Sequence, residues 1–222
     1  MKQRYPFAAV LVDMDGVIID DEDLHHAVWK EFTSRHGMAL NQDQLNYTHG
    51  RRAVDVIAHF FQTSDPARID ALLSERETLY ETHLKEDELH PVPGIREFLS
   101  ALNAAGVKCV LGTSALPSAA QIILSRLEVS NLFFDQVTGV DVKHGKPSPE
   151  VWELAAAKAA VSPRECLVIE DAFAGVTAAK AAGAKCLGIC SSFTAEQLHA
   201  HGADWVARDF NSLPPELVPT SL

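Results

Sequence analysis

One stretch near the start constrains this chain more than any other. Phe7, Ala8, Ala9, Val10, Leu11 and Val12 form an unbroken apolar run that enters Asp13-Met14-Asp15-Gly16. A short apolar run without alternation reads as a strand buried on both faces, as in a parallel sheet. In open α/β sheets, sites gather beyond the carboxyl ends of such strands. Asp13 and Asp15 fall at that end. Two carboxylates so close repel one another, and a cation relieves the repulsion. Mg²⁺ is the expected cofactor, because it takes a few carboxylate oxygens together with water and a substrate phosphate. Gly16 lets the backbone turn tightly beside the site. An acidic loop that merely caps the next helix has the same residues, so the choice between the two readings rests on the rest of the chain.

Two rhythms follow the acidic turn. Between about 20 and 90 no convincing strand appears. Leu24, Val28, Trp29 and Phe32 recur at helical spacing over 20–36, and further helices are expected over 51–62 and 66–86. His90-Pro91-Val92-Pro93-Gly94 breaks the chain. Beyond it, helices expected over 95–105, 117–127, 147–160, 173–182 and 194–201 alternate with strands over 107–112, 136–139, 166–169, 184–189 and 205–206. Such alternation gives right-handed βαβ units and a parallel sheet with helices on both faces. The expected fold class is therefore α/β: a Rossmann-like, three-layer α/β/α core with an inserted helical cap. The expected core is 1–20 with 91–222, the expected cap 21–90. Residues 211–222, with three prolines, read as a loosely held tail.

In a parallel sheet the carboxyl ends of the strands meet on one edge. The residues just past each apolar run then share a site: Asp13 and Asp15, Thr113 and Ser114, Lys146 in Gly145-Lys146-Pro147, and Glu170 with Asp171. Taken singly, Thr113-Ser114 is an ordinary helix cap, Lys146 an ordinary surface lysine and Glu170-Asp171 an ordinary helix start. Their joint arrival at strand ends points to phosphoryl transfer. A carboxylate can form an aspartyl-phosphate. A cation and a lysine offset the charge, while hydroxyls and backbone N–H groups hold the other phosphate oxygens. A second carboxylate can protonate the leaving oxygen and then activate water. The net charge of −11, from 19 basic and 30 acidic residues, argues against a nucleic-acid partner. It leaves room for a small phosphorylated metabolite. No apolar run approaches the roughly 20 residues of a membrane span, and no secretory leader precedes the first strand. The four cysteines read as reduced thiols of a cytoplasmic protein.

These residues resemble the haloacid dehalogenase superfamily. Asp13-Met14-Asp15-Gly16-Val17, Thr113-Ser114, Lys146 in Gly-Lys-Pro-Ser-Pro-Glu, and Glu170-Asp171 match its four motifs in order. The resemblance implies Asp13 as nucleophile and Asp15 as general acid/base. It implies Mg²⁺ held by Asp13, the Asp15 carbonyl and Asp171, with Glu170 in support, and it leaves Thr113 and Ser114 competing for the phosphate. The second aspartate argues against a true dehalogenase. The helical insert is similar to the cap of β-phosphoglucomutase-like members and sugar phosphatases. By that likeness His25, Arg51 and Arg52 in His49-Gly50-Arg51-Arg52, and Arg76 are candidate substrate contacts. Solvated helix positions are the alternative for His25 and the arginines.

Phosphatase and mutase share the first step. Mutases carry a Lys-Asn pair where this chain has Pro117 and Ser118, and favour a hinge threonine where it has Asp21. Both departures favour hydrolysis of a small sugar or polyol phosphate over interconversion of glucose 1-phosphate and glucose 6-phosphate. A carbon–phosphorus hydrolase lacks support, since no cap lysine stands where a Schiff base would form. A non-catalytic phospho-ligand binder is the remaining class. A cap that opens and closes over its core suits a monomer.

Overall fold

The computed structural model describes residues 5–219. Six strands form one parallel sheet in the order β3-β2-β1-β4-β5-β6: β1 Ala9–Val12, β2 Lys108–Gly112, β3 Asp135–Val137, β4 Cys166–Glu170, β5 Lys185–Ile189 and β6 Trp205–Ala207. The first strand lies at the centre. Val12 is in register with Leu111 of β2 on one side and Ile169 of β4 on the other. Chain order reverses direction at β1, so this edge is the topological switch point where ligands bind in open sheets. The acidic turn therefore leaves the sheet at its middle.

Pleating divides the core between two faces. Val10 and Val12, with Leu111 and Ile169, pack on one side beneath α5 (Ile95–Ala104) and α6 (Pro117–Arg126). Ala9 and Leu11, with Val110 and Val168, pack on the other beneath α7 (Glu150–Ala159) and α8 (Phe173–Ala182). Both faces are apolar, which is why β1 shows no alternation. A short helix α9 (Ala195–Ala200) joins β5 to β6.

The helical insertion has an apolar cluster of its own. Four helices, α1 Glu22–Arg35, α2 Gln42–Thr48, α3 Ala53–Phe60 and α4 Pro66–Glu86, enclose Trp29, Phe32, Leu45, Val56, Ile57 and Leu72. Its two connections to the sheet pair with each other: Asp20 N donates to the His90 carbonyl at 2.9 Å and Val92 N to the Ile18 carbonyl at 3.0 Å. The sequence pattern did not disclose α2. Leu45 is its one buried apolar residue, so no helical period is visible, and the helix is held by a capping box between Asn41 and Gln44. Residues 211–219 also differ from the loose tail expected. Leu217 is fully buried in the main cluster and its carbonyl accepts from the Tyr5 hydroxyl at 3.4 Å, so the three prolines shape a packed turn. Among the described residues, no helix is long and apolar enough to cross a membrane.

Candidate active site

The four motif segments converge beyond the centre of the sheet. Asp13 continues β1, with its N–H donating to the Ile169 carbonyl at 3.0 Å, and is buried. Lys146 reaches it from the loop before α7. Its Nζ lies 2.9 Å from Asp13 Oδ1 and 2.6 Å from Glu170 Oε1. The ammonium lies over the face of Trp152, with Nζ 4.6 Å from the ring centroid. That ring itself fits only because position 112 is glycine, where a Cβ would meet it at 2.4 Å. Burial works against the Lys146 ammonium, but the Asp13 and Glu170 carboxylates outweigh it and hold the group above the ordinary lysine range.

Glu170 accepts three hydrogen bonds. Oε1 takes Lys146, and Oε2 accepts the N–H groups of Asp171 and Ala172, each at 3.0 Å. Gly175 makes room for it, since a Cβ there would lie 1.6 Å from Oε1. Asp171 is oriented by Ser192 and, at 3.5 Å, by Ser191, which also bonds the Gly16 carbonyl at 2.6 Å. At Gly16 φ is +69° and a Cβ would stand 2.1 Å from Asp171 Oδ2, so both backbone conformation and space demand glycine.

One oxygen from each of Asp13, Glu170 and Asp171 lies within 4.8 Å of the other two. Three buried carboxylates face one ammonium, and the excess negative charge shows at Asp171 and at neighbouring Asp15. Burial, then the Asp13 charge, pushes Asp171 up to about 7 and Asp15 up to about 6. An all-oxygen donor set with surplus buried negative charge fits a hard divalent cation of the Mg²⁺ class.

Asp15 is bound on its other side by the insertion. Tyr80, on α4, places its hydroxyl 3.1 Å from Asp15 Oδ1 and 3.1 Å from Asp21 Oδ2. One hydroxyl proton cannot serve two carboxylates, so one of the pair is itself a donor. Burial, and after it the Asp15 charge, holds Asp21 well above the carboxylate range. Thr113 is buried, its Oγ1 accepting from Ala115 N at 3.1 Å. Ser114 lines the cleft and donates to the Gly50 carbonyl at 2.8 Å, tying β2 to the loop after α2.

The cleft between sheet edge and insertion has a volume of about 980 Å³ including its mouth. Asp13, Asp15 and Asp171 form its floor, and His25, Arg51 and Arg76 look in from the helical side. Arg76 stacks on Tyr80 at 4.5 Å and Trp29 at 4.9 Å and pairs with Glu77 at 2.8 Å, and its buried Nε has no partner. Arg51 stacks on Tyr47 at 4.4 Å, and its Nε too is buried without a partner. His25 Nε2 accepts from Trp29 Nε1 at 3.3 Å, which leaves its buried Nδ1 carrying an unpartnered proton.

Arg52 departs from the expectation. Its five N–H donors go to Asp55 at 2.7 and 2.9 Å and to the carbonyls of Val142 at 2.9 Å, Lys143 at 3.2 Å and Gly139 at 3.5 Å. It clasps the insertion to the loop after β3 and has no donor left for a substrate. Four partners of the floor escaped the sequence reading: Tyr80, Asp21, Ser191 and Ser192. The two serines follow β5, so the strand-end rule that found Glu170 would have found them. Tyr80 has no local signal, because its partner is 65 residues away.

The fold sets buried carboxylates and a lysine together at the switch point of an α/β sheet. A family profile described as haloacid dehalogenase-like hydrolase matches residues 7–183. The chain belongs to that family. It is 33% identical to hexitol phosphatase A of Escherichia coli (strain K12), over 81% of this chain and 81% of that protein. It is 30% identical to the beta-phosphoglucomutase of Bacillus subtilis (strain 168), over 95% of this chain and 93% of that one. The solved structure of a HAD hydrolase, family IA, variant 3, from Entamoeba histolytica HM-1:IMSS superposes with a TM-score of 0.83 at 28% identity, covering 95% of this chain and 96% of that chain.

Proposed function

We propose that this chain is a Mg²⁺-dependent phosphatase of small sugar or polyol phosphates, acting through an aspartyl-phosphate on Asp13. The observation that carries the reading is Lys146 Nζ, 2.9 Å from Asp13 Oδ1 and 2.6 Å from Glu170 Oε1. It marks Asp13 as the carboxylate prepared to meet a second anion. In this proposal the core is 1–20 with 91–222 and the cap 21–90. The ion would be held by Asp13, the Asp15 carbonyl and Asp171, while Glu170, which accepts three hydrogen bonds, positions Lys146 and Asp171. When bound, Mg²⁺ supplies charge neutralisation for the incoming phosphate.

An Asp13 oxygen attacks phosphorus as the ester oxygen departs. Asp15, held up at about 6, gives that oxygen its proton. Water then attacks the aspartyl-phosphate, Asp15 takes the water's proton, and phosphate leaves with Asp13 restored. Thr113 and Ser114 both stand at the end of β2 for the phosphate oxygens. On the cap, Arg51, Arg76 and His25 present unpartnered donors to the sugar. Arg52 is assigned to the clasp and not to the substrate.

Mutase is the second reading, favoured by the Bacillus subtilis relative's 30% identity over most of this chain. Holding a bisphosphate needs a further cation near the second motif. Leu116 lines the cleft there instead and Pro117 opens α6. Free thiols at all four cysteines suit the cytoplasmic location we assign. The test is a Mg²⁺-dependent phosphate-release screen over hexose, pentose and polyol phosphates, with β-glucose 1-phosphate assayed in parallel for glucose 6-phosphate. Free phosphate is the expected product. Glucose 6-phosphate without free phosphate overturns the reading in favour of the mutase, and neither product from any ester favours the binder.

A further inference from the structure

A second cluster of metal-binding side chains stands on the helical side of the cleft, apart from the floor. Glu22 and His26 are one turn apart on α1, so they share a face. His49, directly after α2, meets them there. One donor atom from each of Glu22, His26 and His49 lies within 4.8 Å of the other two. The tightest contact is His26 Nε2 to His49 Nε2 at 2.9 Å, with the rings nearly perpendicular at 87°.

This donor set differs in kind from the floor. It contains two imidazole nitrogens and one carboxylate oxygen, where the floor offers oxygen alone. Zinc-class ions take nitrogen and oxygen donors at about 2.0–2.2 Å in a tetrahedron, which puts neighbouring donor atoms roughly 3.3 Å apart. The two imidazoles need to part by only a few tenths of an ångström to accept one. Burial holds His49 down at about 4, with His26 adding to the effect, and burial followed by the Lys30 charge lowers His26. Both rings are therefore neutral near pH 7; one Nε2 carries the proton of their 2.9 Å contact, and that ring would shift its proton to Nδ1 to bind an ion through Nε2. His25 lies close by, its centroid 5.2 Å from that of His49, but its Nε2 is taken by Trp29.

We propose that Glu22, His26 and His49 form a second metal site, selective for a zinc-class ion and independent of the Mg²⁺ floor. Glu22 and His49 both line the cleft, so the ion would sit at its edge and link α1 to the loop that Ser114 holds through Gly50. The fourth ligand position would be left for water or a substrate oxygen.

The test uses chelator-stripped full-length protein in millimolar Mg²⁺, titrated with Co²⁺ and read by its visible absorption. The expected result is one equivalent of Co²⁺ that Mg²⁺ does not displace and Zn²⁺ does. His26→Gln and His49→Gln should each weaken binding at least about tenfold. Asp171→Asn, which alters only the floor, should leave that band in place. A zinc-dependent rise in Tm should appear in the native protein and vanish in His26→Gln. Half-exposed His26 keeps the test available should His49→Gln fail to fold. Absence of any Co²⁺ beyond that competed by Mg²⁺ overturns the proposal, as does binding unchanged by both substitutions. The absorption readout separates this outcome from failure of the phosphatase reading, which is judged by phosphate release.

Discussion

The two sides of the cleft are built on opposite terms. On the sheet side the floor side chains are already satisfied: Lys146 bridges Asp13 and Glu170, Glu170 takes three donors, and Asp171 takes two serines. On the helical side, three buried nitrogens have no partner: His25 Nδ1, Arg51 Nε and Arg76 Nε. Among the described residues, these are the buried side-chain polar atoms left unsatisfied, and all three face the same cleft. An unsatisfied buried donor costs on the order of 1–3 kcal/mol. In the proposed function, the sheet side carries the one chemical event common to every substrate. The unpartnered donors of the helical side would then meet the variable part of the ligand and discriminate among substrates.

The largest test of that contrast is at the nucleophile. Asp13→Asn should cut Mg²⁺-dependent phosphate release by at least about 10⁴-fold. Activity retained within tenfold would remove Asp13 from the chemistry and dissolve the floor's special standing.

Gly175→Ala comes next. Its Cβ would occupy the space of Glu170 Oε1, forcing that carboxylate off Lys146. Breaking a buried pair costs about 3–5 kcal/mol. A urea melt should show that loss, and an unchanged midpoint would mean the floor is looser than its hydrogen bonds imply.

Arg51→Ala and Arg76→Ala probe the reserve donors. Each should raise KM for sugar phosphates about 10–100-fold, matching roughly 1.5–3 kcal/mol for a charged hydrogen bond, and change KM for a small aryl phosphate far less. Arg52→Ala should instead weaken both substrates alike, because its bonds run to Asp55 and the loop after β3. Equal effects of all three arginines would erase the distinction between wall and clasp.

The smallest effect is thermal. Burial raises Asp171 to about 7 and Asp15 to about 6, so the folded protein binds protons that the unfolded chain has released. These groups stabilise the metal-free fold below about pH 4, and that contribution is lost as pH climbs towards 7. Mg²⁺ requires the deprotonated carboxylates, so its stabilisation grows over the same window. Melts with and without Mg²⁺ should differ more at pH 7 than at pH 5. An equal Mg²⁺ shift at both values would mean that the floor carboxylates are ionised throughout.

Much of this could be read before any coordinates. The apolar run 7–12, the helix–strand alternation beyond Gly94 and the polar residues at strand ends led to the sheet and to Asp13, Lys146, Glu170 and Asp171. These features are legible because periodicity and strand ends are local properties of a chain. Helix α2 was illegible because a seven-residue helix with a single buried apolar position has no period to read. The packing of residues 211–219 was hidden because prolines look alike in a loose tail and a fixed turn; 220–222 lie outside the described residues. Arg51 and Arg52 are neighbours with the same charge, yet one stacks on Tyr47 facing the cleft and the other clasps Val142 and Lys143.

The order and type of residues alone determined a parallel sheet, an acidic turn after its first strand and the reactive groups brought to one edge. Tertiary structure decided which of those groups are satisfied and which are held open: that the Tyr80 hydroxyl stands between Asp15 and Asp21, that Glu170 accepts three donors, and that His26 meets His49. The reason is physical. Backbone preference is written within a few neighbouring residues, whereas a side chain's partners are chosen by packing between segments tens of residues apart.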